Sequence, residues 1–108
     1  IQIDKDKIPS MIDEIPILSL ICAYVEGESI ISGLRELRHK ESDRLKGIYD
    51  ILEIMGVNAT LCNKDQIRIK GKNKLYNTNK LPDLNDHRLA MMISIAQIVS
   101  ILVPGSNF

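Results

Sequence analysis

Two short runs with a strict two-residue period face each other across Asn63-Lys64-Asp65. On one side Ala59 and Leu61 alternate with Asn58 and Thr60; on the other Ile67 and Ile69 alternate with Gln66, Arg68 and Lys70. A period of two sets every second side chain on one face of a strand, and a short polar turn between two such runs makes an antiparallel hairpin. Strands over 57–62 and 66–70 are therefore expected, with one apolar face to be covered. The segments on either side carry the helical period that can cover it.

Upstream of the hairpin, Leu45, Ile48, Ile51, Leu52 and Met55 recur at helical spacing. They predict a helix from Ser42 to Met55, with Ser42 as N-cap and Gly56 as its stop. Downstream, Leu89, Met91, Met92, Ile95, Ile98 and Val99 predict another from Asp86 to about Ser100. Asp86 is its expected N-cap, and Met91-Met92 its core filling. Nearer the start, a helix from Met11 to about Val25 is expected, capped by Ser10 and ended by Gly27. Pro16 delays its regular part to about Ile15. Leu18, Leu20, Ile21, Cys22 and Val25 make it apolar on most faces, so it should be buried on more than one side. Further strands are expected within 1–9, at Ser29-Ile30-Ile31-Ser32 and from about Ile101. Residues 71–84 read as a loop, or a loop with a short strand near Leu75-Tyr76. The sum is an α/β fold, a βαβαββ-type unit plus the start of a second, with helices packed on mixed sheet.

The chain has 108 residues and reads as one partial domain over 1–108. It begins Ile1-Gln2-Ile3 without methionine and ends just after an apolar run, the pattern of a piece cut from a longer protein. Fourteen basic residues balance fourteen acidic ones, with three Tyr, one Phe and no Trp. Such a balance argues against a nucleic-acid surface, which is normally basic. No apolar run is long enough for a bilayer and no signal peptide is visible, so no membrane partner is expected. Cys22 and Cys62 lie in apolar contexts without metal-ligand spacing; buried thiols in a reducing cytosol are expected, with a disulfide as the alternative. HExxH, paired CxxC, P-loop and GxGxxG patterns are all missing, so no metal or nucleotide cofactor is expected.

Charge concentrates at Leu37-Arg38-His39-Lys40-Glu41-Ser42-Asp43-Arg44, where a loop becomes a helix. Arginine in a first turn opposes the helix dipole, which already makes that end positive. Solvated surface pairs among Lys40, Glu41, Asp43 and Arg44 are the bland explanation. A second instance weighs against it: Asn85-Asp86-His87-Arg88 opens another apolar helix with another arginine in its first turn. Two such starts suggest that Arg44 and Arg88 share one anionic ligand. Asp13-Glu14, beside a third helix start, is either a surface pair or a carboxylate in that ligand's pocket, able to act as a general base. His39 and His87 read as structural hydrogen-bonders.

Three blocks in this order, Ile12-Asp13-Glu14-Ile15-Pro16, Glu36 to Arg44, and Asp86-His87-Arg88-Leu89-Ala90-Met91, resemble the 5-enolpyruvylshikimate-3-phosphate synthase (3-phosphoshikimate 1-carboxyvinyltransferase) family. The spacing of Asp13 from Glu41 also resembles that family's. The resemblance covers nearly the whole chain and implies part of the C-terminal domain of a two-domain enzyme, an inside-out α/β barrel. It implies transfer of the carboxyvinyl group of phosphoenolpyruvate to the 5-hydroxyl of 3-phosphoshikimate, releasing phosphate through a tetrahedral intermediate. By that resemblance Asp13 contacts the shikimate hydroxyls and accepts the attacking hydroxyl's proton. Glu41 moves a proton at the phosphoenolpyruvate methylene, and Lys40 lies near the shikimate hydroxyl and the transferring groups. Arg44 and Arg88 bind phosphoenolpyruvate, and Glu36 stands where some members have an asparagine touching shikimate. His39 replaces a residue expected to be apolar. The partners implied are the two substrates and the N-terminal domain of the same polypeptide, in a cytoplasmic monomer without cofactor; the piece by itself should be inactive. The sister transferase acting on UDP-N-acetylglucosamine is the enzymatic alternative, disfavoured by the Lys40–Arg44 run. A non-catalytic RNA-binding α/β module is the alternative of another class, disfavoured by charge and aromatic content.

Overall fold

The computed structural model describes residues 2–3, 5–39, 43–63, 65–72, 74, 76–82 and 84–102. Strand β1 (Gln2–Ile3) leads through two 3-10 turns, Lys5–Ser10 and Ile12–Glu14, into helix α1 (Ile15–Tyr24). Pro16 stands in the first turn of α1, where its missing N–H costs nothing. The delayed start at Ile15 matches the proline argument. The end does not match: Val25 is extended, and Gly27, at φ +110°, opens strand β2 (Gly27–Ile31) instead of closing the helix. A 3-10 turn over Arg35–His39 occupies part of the expected loop before helix α2 (Arg44–Met55). Asp43, not Ser42, caps α2, its carboxylate accepting from Lys46 N at 3.2 Å; Ser42 itself lies outside the described residues. Gly56, left-handed at φ +91°, stops the helix as expected.

The hairpin forms as its alternation requires, β3 (Asn58–Cys62) against β4 (Gln66–Gly71), registered from Asn58↔Lys70 to Cys62↔Gln66. Asn63 takes a positive φ of 56° in the turn. The other edge of β4 pairs antiparallel with β2, from Gly27↔Gly71 to Ile31↔Ile67, and β1 adds parallel to β2. The sheet order is β1-β2-β4-β3. Ser29, Ile31, Ile67 and Ile69 point to one face and are fully buried, while Glu28, Arg68 and Lys70 are exposed. Each buried isoleucine contributes roughly 2 kcal/mol of apolar burial, so the helices are confined to that face. There α1 lies on β4 and α2 beside β3, with α3 (His87–Leu102) packed on both helices.

Two close approaches set these positions. A Cβ on Gly71 would meet the carbonyl oxygens of Cys22, Ala23 and Val25, so β4 abuts the end of α1. One on Gly47 would meet Leu89 Cδ1, which marks how near α3 comes to the start of α2. The segment between β4 and α3 contains no strand among its described residues. It is tied down instead by Tyr76, whose hydroxyl donates to Ala23 O (2.8 Å) and accepts from Lys72 N (3.1 Å). Ile101 and Leu102 continue α3 instead of starting a strand, since the next helix-breaking residue after His87 in the sequence is Pro104. Of the two adjacent methionines, Met92 is fully buried and Met91 about half-exposed, so only one fills the core.

Candidate functional site

Asp13 stands just before α1, Arg44 is the first residue of α2, and Asp86 and Arg88 open α3. The fold brings these three helix starts together. Arg44, its side chain 4% exposed, donates from Nε to both carboxylate oxygens of Asp86, at 3.2 and 3.0 Å. Asp86 is buried as deeply, at 2%. The same carboxylate caps α3, Oδ1 accepting from Arg88 N at 3.0 Å and Leu89 N at 3.3 Å. Arg44 Nη1 reaches Asp13 Oδ1 at 3.5 Å, and Arg88 Nη2 lies 3.7 Å from Asp13 Oδ2. Asp13 and Arg88 remain 48% and 41% exposed.

Two arginines set against helix dipoles thus find internal carboxylates, and this accounts for part of what the sequence leaves unexplained. Magnitudes separate the two pairs. Taking one partner from a buried, hydrogen-bonded ion pair costs roughly 3–5 kcal/mol, which makes Arg44–Asp86 a fixed brace. A half-exposed contact at 3.7 Å contributes about 0–1 kcal/mol, so Arg88 can exchange Asp13 for another anion at little cost. The positive ends of the helix dipoles that meet here favour such an anion.

Of the residues singled out in the sequence, Asp13, Arg44 and Arg88 are gathered here. Glu36 is exposed on the Arg35–His39 turn, and among the described residues no ion pair joins it to the cluster. Lys40 and Glu41 lie outside the described residues. The pairing of Asp86 with Arg44 escapes the sequence reading, which sees only a cap. These residues are 42 positions apart, and the one available hint is that a buried arginine needs a carboxylate. Cys22 is buried and Cys62 partly so, both as free thiols. Among the described residues no trio of His, Cys, Asp or Glu could hold a metal, and no helix is long and apolar enough to cross a membrane.

Residues 1–102 match the family described as EPSP synthase (3-phosphoshikimate 1-carboxyvinyltransferase). A 3-phosphoshikimate 1-carboxyvinyltransferase of Persephonella marina is 43% identical over 100 residues, covering 93% of this chain and 23% of that protein. Its counterpart from Clostridium tetani is 41% identical over 91 residues, covering 84% and 21%. The structure of EPSP synthase from Acinetobacter baumannii superposes with a TM-score of 0.82 at 37% identity, over 89% of this chain and 23% of that one. The chain therefore spans less than a quarter of the length of these relatives.

Proposed function

The chain belongs to the EPSP synthase family, and on that premise we propose that it supplies the phosphoenolpyruvate-facing part of a 3-phosphoshikimate 1-carboxyvinyltransferase. The observation that carries this reading is the meeting of Asp13, Arg44 and Arg88 at three helix starts. Phosphoenolpyruvate carries a carboxylate and a phosphate, and two guanidiniums beside helix N-termini suit both. In the proposed reaction the 5-hydroxyl oxygen of 3-phosphoshikimate attacks C2 of phosphoenolpyruvate, its proton passing to Asp13. A proton adds to the C3 methylene, with Glu41 as donor, giving a tetrahedral intermediate that still holds the phosphate. Loss of phosphate, with return of a C3 proton, restores the vinyl group on the new ether oxygen. In the same proposal Lys40 acts on the hydroxyl and the transferring groups, and Glu36 contacts the shikimate ring.

In this reading residues 1–108 are part of the C-terminal domain of a longer cytoplasmic enzyme that acts as a monomer in aromatic amino acid biosynthesis. The remaining polypeptide supplies further substrate contacts and closes over both substrates, excluding water. These 108 residues by themselves are inactive. The test is phosphate release by the intact protein given phosphoenolpyruvate and 3-phosphoshikimate. Release that needs both substrates supports the proposal; no release, or release only with UDP-N-acetylglucosamine, overturns it. Within the active enzyme, Arg88→Ala raises KM for phosphoenolpyruvate, and an unchanged KM removes Arg88 from the anion site.

A further inference from the structure

Asp86 has no part in the chemistry proposed above, yet it is the most enclosed carboxylate of the cluster. Its two oxygens hold Arg44 Nε at 3.2 and 3.0 Å, and Oδ1 also takes the amides of Arg88 and Leu89. One side chain thereby joins the first residue of α2 to the first turn of α3. Gly47, with Leu89 seated against it, permits that closeness. We propose that Asp86 is a positioning residue for phosphoenolpyruvate: it fixes the Arg44 guanidinium before the substrate arrives, and through the α3 cap it sets Arg88 at the matching distance. This rests on the reading that Arg44 and Arg88 bind that substrate.

The physical reason is preorganisation. An arginine side chain loses rotamer entropy when immobilised. A guanidinium already held by a buried carboxylate has lost that freedom on folding, so the substrate does not supply it. Asp86 already has both oxygens engaged, by Arg44 Nε and by the amides of Arg88 and Leu89, so its influence passes through the arginines. A mere helix cap would not need the charge: asparagine caps a helix as well as aspartate does.

Asp86→Asn in the intact enzyme therefore separates the two roles, keeping the cap and removing the clamp. The expected result is a rise of about tenfold in KM for phosphoenolpyruvate, equivalent to about 1.4 kcal/mol. KM for 3-phosphoshikimate should stay within about twofold and kcat within about threefold, on the same scale. A capping role alone would lower the folded fraction, and so kcat, while leaving KM untouched. An unchanged or lowered KM for phosphoenolpyruvate overturns the proposal, the lowered value showing that removal of negative charge outweighs positioning. Asp86→Ser, a smaller uncharged cap, is measured beside it and should shift KM the same way. If neither variant accumulates as folded protein, the carboxylate is a structural requirement and the positioning role is withdrawn. Arg88→Ala in the same assay distinguishes the failures. If it raises KM while Asp86→Asn does not, only the positioning claim falls; if it too leaves KM unchanged, the anion-site reading has failed.

Discussion

Replacing Gly71 with alanine tests whether the end of α1 and the end of β4 are packed as tightly as the structure shows. The new Cβ would meet the carbonyl oxygens of Cys22, Ala23 and Val25. These are backbone atoms, so no rotamer change relieves the clash; α1 and β4 have to part. Overpacking of this kind costs roughly 1–3 kcal/mol. Parting them also weakens two hydrogen bonds to Ala23 O, from Lys72 N (3.1 Å) and the Tyr76 hydroxyl (2.8 Å), at about 1 kcal/mol each. The edge-on contact of Tyr76 with Tyr24, with ring centroids 5.5 Å apart, loosens as well. The expected destabilisation is about 3–5 kcal/mol, a large share of the roughly 5–15 kcal/mol by which a domain is stable. In urea unfolding, with a slope of about 1.5 kcal/mol per molar, the midpoint falls by roughly 2–3 M. Gly47→Ala is the matched control. Its Cβ would meet the terminal Cδ1 of Leu89, a side chain that can turn aside, and alanine gains about 1 kcal/mol of helix propensity over glycine. That variant should stay within about 1 kcal/mol of the parent. A Gly71→Ala midpoint within about 0.5 M of the parent, or a larger loss at Gly47 than at Gly71, would refute the reasoning.

Ser19 has a fully buried Oγ without a hydrogen-bond partner among the described residues. Ser19→Ala should stabilise the protein by about 1 kcal/mol in thermal unfolding, and a loss of that size would mean the hydroxyl is satisfied after all. Asp86→Ala should be less stable than Asp86→Asn by about 1 kcal/mol, the worth of the α3 cap, while both lose roughly 3 kcal/mol or more to the stranded Arg44 charge; equal stability of the two would remove the cap from the account. Burial holds the Cys22 thiol above its ordinary value of 9.0, and the Tyr76 and Tyr24 phenols above 10.0, burial again being the main cause. The folded state keeps these protons when the unfolded chain has released them, so stability is full below pH 9 and falls as pH rises through 10. A flat unfolding midpoint from pH 8 to 11 would contradict it. In the intact enzyme, Asp13→Ala should abolish turnover while both substrates still bind in calorimetry, and near-parental turnover would exclude Asp13 as the base.

What the sequence determines by itself is local. The two-residue alternation around Asn63 specifies the hairpin, because a one-residue slip would turn Ile67 and Ile69 out of the core. The helical runs after Asp43 and Asp86, the delay at Pro16 and the stop at Gly56 follow from the dihedral and capping demands of a few adjacent residues. The three charged blocks already carry the family likeness. Tertiary structure decides the rest. Whether Ser42 or Asp43 caps α2, and whether Gly27 ends a helix or begins a strand, turns on where the neighbouring chain runs; Gly27 is claimed by its pairing with Gly71. Which of Met91 and Met92 faces the core depends on how α3 is rotated about its axis, and a helix apolar on nearly every side gives no local cue. The ion pair of Arg44 with Asp86 was invisible for the same reason: its partners lie 42 residues apart and meet only after three helix starts have been stacked on one face of the sheet.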